Sequence, residues 1–291
     1  MRPRVLAAGT ILALWAGGLA VLARRQRPGG EAARLARAAL FVSPGADYYV
    51  VSDSSHQIGF ASSTIDTSAA NIQIVDFVEA DMDSVVTRKR FSARMTIRLS
   101  RTLLLKGFRY ELGADAGPYA VTGAVLGDSV LVLTVRARGT RTISRRIPLH
   151  GPLFLPTMVP MVIALGDRPR VGQSYSYDIF DPLTDSTAVT TIAVRAESLF
   201  VLPDSATLDT RTGRWTEAHV DTVRAWRIED TSGGRLTGWI DASGRMVEAQ
   251  PFPRMRMRRS AYELAYSNWS RSQPRPGHPA GRDSSPIPSS P

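Results

Sequence analysis

The chain has no cysteine, and only two of its 36 basic residues, Lys89 and Lys106, are lysines. The missing cysteine excludes disulfides, thiolate metal sites, a cysteine nucleophile and a lipid-modified N-terminal cysteine. Histidine is scarce as well. His56, His150, His219 and His278 lie far apart, and no pair has the spacing of a metal motif. There is no G-x-S-x-G elbow, phosphate-binding loop or dinucleotide fingerprint. Glu79, Asp81 and Asp83 alternate on one strand face, a pattern that suits either a cation or an ordinary wet surface. The expectation is therefore a non-enzymatic protein with no cofactor, no metal and no catalytic residue.

Acidic residues are few at the two ends. Outside residues 41–253 there are 14 arginines against Glu31, Glu263 and Asp283, which leaves 22 bases and 23 acids in the body of a chain whose net charge is +10. The body is near neutral. It carries no zinc finger, RNA-binding aromatic motif or helix-turn-helix, so nucleic acid is not an expected partner.

Long apolar runs are limited to one. Residues 5–23, VLAAGTILALWAGGLAVLA, carry no charge and lie between Arg2 and Arg4 on one side and Arg24, Arg25 and Arg27 on the other. As a helix they rise about 28 Å, enough for a hydrocarbon core of about 30 Å. Segment 1–27 is expected to hold an uncleaved N-terminal transmembrane helix that makes the membrane a partner. Val21 and Ala23 also fit a signal-cleavage site, so a secreted protein is the alternative. Arginine on both flanks leaves the orientation undecided by charge. The strand-rich body sets the expected location: the bacterial inner membrane, single-pass, with the body in the periplasm.

Residues 28–45 read as a linker and a short helix, about Glu31 to Leu40, with Leu35, Ala36, Ala39 and Leu40 on its apolar stripe. Residues 271–291, rich in proline and serine, cannot bury enough surface to fold and read as a disordered tail. Between them, 46–270 is a succession of short Val, Ile, Thr, Tyr and Phe runs separated by Gly, Asp, Ser and Pro. Tight hairpins are expected at LGDS and within WIDASGRMVE. The fold class is mainly β: a curved antiparallel sheet or half-open barrel with two or three short helices. In GPLFLPTMVPMVIALG, residues 151–166, a short helix broken by Pro160 and capped by Gly166 is expected.

Three stretches, YYVVSDSSHQIGFASSTID, GQSYSYDIFDPLT and WIDASGRMVEAQPFPRMRMRRSAYELA, resemble the β-rich domains that precede transglutaminase-like domains in bacterial periplasmic proteins. Those domains are similar to the lipoprotein-carrier (LolA-like) half-barrel. The resemblance implies an accessory domain. The cysteine, histidine and aspartate of a transglutaminase-like enzyme would belong to a following domain, and this chain has no cysteine.

A curved sheet that does not close leaves a concave apolar face. Phe154, Leu155, Met158, Val159, Met161, Val162 and Ile163 are the candidate lining, as a plug or lid over an apolar ligand such as a lipid, or as plain core. Binding of an apolar ligand or an envelope protein partner in that concave sheet is the expected function; an accessory subunit of a hydrolase or transglutaminase-like enzyme, or a cryptic hydrolase, is the alternative. At PRMRMRR the period of two puts Met255 and Met257 on one face of a strand and Arg254, Arg256 and Arg258 on the other. Those three arginines, with Arg24, Arg25 and Arg27, are the candidate contacts with anionic headgroups. Ser260 and Glu263 have the spacing of a capping box for a following helix.

Overall fold

The computed structural model describes residues 30–53, 56–83, 88–113, 117–233, 236–252 and 255–272. These hold fifteen strands of one large, open, curved sheet, with three short helices. The first eight strands form a meander: β1 (Gly45–Asp53), β2 (His56–Thr67), β3 (Asn71–Asp83), β4 (Arg88–Ser100), β5 (Leu105–Gly113), β6 (Tyr119–Leu126), β7 (Val130–Ala137) and β8 (Ile143–Pro148). The last seven are β9 (Leu153–Phe154), β10 (Ser174–Asp181), β11 (Ser186–Asp209), β12 (Arg214–Asp230), β13 (Thr237–Asp241), β14 (Met246–Phe252) and β15 (Met255–Ser260). All neighbours are antiparallel except β9 and β10.

The two runs join at their far ends, where β1 pairs with β15 over Tyr48↔Ser260 to Asp53↔Met255. This puts β8 and β9 at the two edges. Side chains near those edges meet without a ladder: Tyr119 donates to the Pro182 carbonyl at 3.1 Å and Arg145 pairs with Asp185. The LGDS turn forms as expected. Gly127 and Asp128 both have positive φ, 57° and 56°, the geometry of a type I′ hairpin.

The core lies on the concave face, around helix α2 (Val159–Asp167) and the single 3₁₀ turn Pro156–Met158 that leads into it. Pro160 sits in the first turn of α2, where a missing N–H costs nothing, so it starts the helix instead of breaking it. The helix ends on Arg168 at φ 51°, two residues past the expected Gly166. Helix α1 (Glu31–Ala39) packs against α2 through Leu35, Ala38 and Ala39; Leu40 falls just past the helix and is 79% exposed, which moves the apolar stripe from the one expected.

Two elements cover the convex face. β11 and β12 run on past their other neighbours as an arm, residues 199–223, bent by register shifts between Val194 and Ala196 and around Pro203–Ala206. Its root packs Phe200, Leu202 and Val223 on Trp239 and Val247. After β15, a π turn (Glu263–Ser267) and helix α3 (Asn268–Ser272) lay Tyr266 and Trp269 on Phe60, with ring centroids 4.9 and 5.2 Å apart. No side chain caps that turn, because Ser260 is still held in the β1–β15 ladder.

Gly244, in the β13–β14 turn, has φ 79°, and a Cβ there would stand 2.4 Å from the Cα of Met161. Both strain and overlap forbid a larger residue. Gly244→Ala is expected to lower stability by about 2–4 kcal/mol, read as a fall in urea midpoint without a change in slope.

Candidate functional site

The seven side chains expected to line the concavity are brought together at its centre, and none is more than 3% exposed. Phe154 meets Tyr177 edge-on at 4.9 Å, and from the opposite half of the sheet Phe108 reaches Phe180 at 5.5 Å. The buried residues of α2 belong to the same cluster as side chains of both runs of strands. Arg34 of α1 closes one end, donating to the Tyr177 hydroxyl at 3.0 Å with its guanidinium 5.5 Å from that ring. At about 1.5–3 kcal/mol for each large apolar side chain, taking these seven, from residues 154–163, out of the core would expose about 10–20 kcal/mol of burial. That matches or exceeds the whole stability of an ordinary domain, about 5–15 kcal/mol.

A polar rim fixes the helix in place. Arg245 pairs with Asp47 at 3.0 Å, and Arg259 with Asp241 at 2.7 Å and Asp47 at 3.6 Å. Asp241 also accepts from the backbone of Ser243 and Arg245, which shapes the turn that presses Gly244 on Met161. Gly45 leaves room for the Arg245 guanidinium, 2.5 Å from where a Cβ would sit. Burial pushes the Asp47 carboxyl above its usual range, against the pull of both arginines. The four groups are half-shielded from water, where loss of one member leaves a charge without its counterpart.

Further along the interior, Asp76 of β3 accepts the Ser63 hydroxyl at 2.6 Å, while its second oxygen is buried without a well-formed hydrogen bond. Burial raises its pKa to about 6; the Ser63 and Thr157 hydroxyls oppose that rise. Thr157 belongs to the 3₁₀ turn, so a carboxyl poised near neutrality stands at the entry to α2.

The arginines of RMRMRR separate as the alternation requires. Met255 and Met257 join Tyr49, Val51 and Ala61 in a small inner cluster. On the other face Arg256 pairs with Glu248 at 2.5 Å, and Arg258 donates to the Val201 carbonyl of the arm at 2.9 Å. A cleft of about 360 Å³ lies between arm and sheet, floored by Val50, Ser52, Arg256 and Arg258 and walled by Pro203 and Val220. The arm's tip is clamped to α3, where Asn268 exchanges two hydrogen bonds with the Trp215 backbone. Arg24, Arg25, Arg27 and Arg254 lie outside the described residues, as do residues 5–23 and the tail from 273. Among the described residues no helix is long and apolar enough to cross a membrane.

Two other clusters of polar side chains are occupied within themselves. Arg90 bridges Asp81 at 2.9 Å and Glu79 at 3.6 Å, filling the place a cation would take. No group of three or more ligating side chains among the described residues could hold a metal ion. On the arm, Asp204 takes His219 Nδ1 at 2.9 Å and the Ser205 hydroxyl, which lower its pKa. The hydroxyl therefore points at the carboxylate, and the imidazole does not serve it as a base.

A solved structure with this arrangement is the β-barrel-like protein of the domain of unknown function DUF1849 from Brucella abortus. At 14% identity it matches over 75% of this chain and 96% of its own, with a TM-score of 0.50. The shared feature is the fold. The chain is similar to a β-barrel-like domain. A protein of the DUF1089 family from Pseudomonas aeruginosa is a looser match, 8% identical over 67% of this chain and 91% of its own, with a TM-score of 0.36. No family model and no curated protein matches the chain. These likenesses show no link to lipoprotein carriers or to transglutaminase-associated domains.

The raised pKa of Asp76 has a definite sign. The folded state holds the proton more tightly than the unfolded chain, so the contribution of Asp76 to stability is highest below about pH 4, falls between about pH 4 and 6, and is level above. Asp76→Asn keeps an acceptor for Ser63 and removes the buried charge. It is expected to raise stability at pH 7.5 by up to about 3 kcal/mol and to change little at pH 4, as read from urea midpoints at the two pH values.

Proposed function

We propose that the protein is a non-enzymatic domain of the bacterial envelope, held to the inner membrane by residues 5–23 with its body in the periplasm, that binds a protein partner along the β11–β12 arm. The observation that carries this reading is the arm itself. Beyond their pairings with β10 and β13, both of its strands have unladdered outer edges, and Leu199, Val201, Leu208 and Val220 are between 39% and 67% exposed on it. A free strand edge with exposed apolar side chains is a template for an incoming strand.

The energy of displacing the 154–163 segment weighs against the concavity as the binding place, since an apolar ligand would have to repay about 10–20 kcal/mol before gaining any affinity. The arm has no such cost. The membrane tether is supported by the length and charge flanks of residues 5–23. The non-enzymatic reading is supported by the scattered histidines and by Asp204, which draws both His219 and Ser205 to itself.

Native mass spectrometry of protein extracted from membranes tests the choice. The expected result is a complex with a discrete protein species and no stoichiometric lipid. Leu199→Asp with Val201→Asp should abolish that complex while leaving the thermal midpoint within about 2 °C. A lipid adduct that survives extraction, with the complex unchanged in the arm variant, would place the ligand in the concavity and overturn the reading.

A further inference from the structure

The convex face of β4–β8 gathers exposed arginines from neighbouring strands. Several arginines of other strands meet carboxylates: Arg90 with Asp81, Arg195 with Glu229, Arg224 with Glu197, Arg256 with Glu248. On this face Arg109 pairs with Glu111 at 2.6 Å and Arg94, across the strand pair, helps hold that carboxyl below its usual range, while Arg94, Arg98, Arg136 and Arg146 are exposed and none has an ion pair within 4.0 Å among the described residues.

Strand register places these four at the corners of one patch. Arg94 and Arg136 end one cross-strand row, through Glu111 and Ala120; Arg98 and Arg146 end another, through Gly107, Ala124 and Val132. The row between carries the hydroxyls of Thr96, Thr122 and Thr134, and at its end on β8 that of Ser144, which donates to the Leu133 carbonyl. Strands lie about 4.8 Å apart, so the corners on β4 and β8 stand about 19 Å from one another. Small side chains in the middle leave a trough of about 430 Å³ lined by Thr96, Arg98, Arg109, Thr122 and Thr134. A Cβ on Gly107 would stand 2.8 Å from the Gly123 carbonyl and 3.4 Å from the Arg98 guanidinium, so only glycine keeps that strand crossing open.

Unmatched guanidinium groups around a hydroxyl-lined trough fit phosphate, as fork-like donors at the rim and hydroxyl donors at the floor. We infer that the β4–β8 face docks on an anionic bilayer through the phosphates of its headgroups. The inference builds on the reading of the protein as membrane-held, and it moves the electrostatic contact away from Arg256 and Arg258, whose guanidinium groups are engaged within the fold.

The absence of native cysteine permits a direct test. Full-length protein with Thr134→Cys carries one environment-sensitive fluorophore in the trough and is mixed with vesicles of phosphatidylcholine alone or with added phosphatidylglycerol. Co-elution with the zwitterionic vesicles reports the tether; the label's response to phosphatidylglycerol reports the face, whether or not the tether holds. The expected result is a blue shift with the anionic lipid only, reversed by high salt. Single Arg94→Gln, Arg98→Gln, Arg136→Gln and Arg146→Gln replacements should each weaken it about five-fold at an unchanged thermal midpoint. An equal response to both lipids overturns the inference, as does an unaltered response when all four arginines are replaced. A shift of the same size with inorganic phosphate alone makes the free anion the ligand and overturns the bilayer.

Discussion

The filling of a concave sheet by a helix of its own chain is the constraint on which the rest of this structure depends. Fifteen strands with right-handed twist curl into an incomplete barrel, and an incomplete barrel must cover its inner face or present it to water. Helix α2 supplies the cover. It is apolar because it is enclosed between the sheet and α1, and the remaining features serve its placement: prolines at its entry, Arg34 of α1 at one end, the Asp47–Arg245–Asp241–Arg259 group and Gly244 at the β13–β14 turn.

With the interior occupied, recognition falls to the convex side, and there the two halves of the sheet differ. On the C-terminal half the arm and α3 lie over the strands, and charges are largely neutralised by partners within the fold. On the N-terminal half no described element covers the sheet between β4 and β8, and the corner arginines have no ion pair among the described residues. A near-neutral body can therefore hold a basic face, because neutrality is a sum and pairing is local.

Much of the fold was legible in the residues. Short Val, Ile, Thr, Tyr and Phe runs between turn residues marked the strands from β1 to β7, the LGDS and DASG turns marked two hairpins, and the alternation of Met and Arg sorted Met255 and Met257 from Arg256 and Arg258. The arm was missed for a physical reason. A two-stranded ribbon wet on most of its surface has no apolar face to impose alternation, and Pro203, Asp204 and Ser205 argue for a loop unless the partner strand is known. The seven interior residues were correctly grouped, but their sequence cannot distinguish a helix that lines a cavity from one that fills it. The four unmatched arginines were invisible for a related reason: they are spread over four strands, and only the register brings them to one patch.

The junction of β1 with β15 has a consequence for synthesis. A ribosome delivers β1 with one edge satisfied by β2 and the other exposed, and Tyr48 must wait for Ser260 before that edge is closed. Until then the middle of the finished sheet is its open border, and a strand from another copy could pair there as readily as the proper one. The last strand to emerge is thus the one that makes the first strand safe.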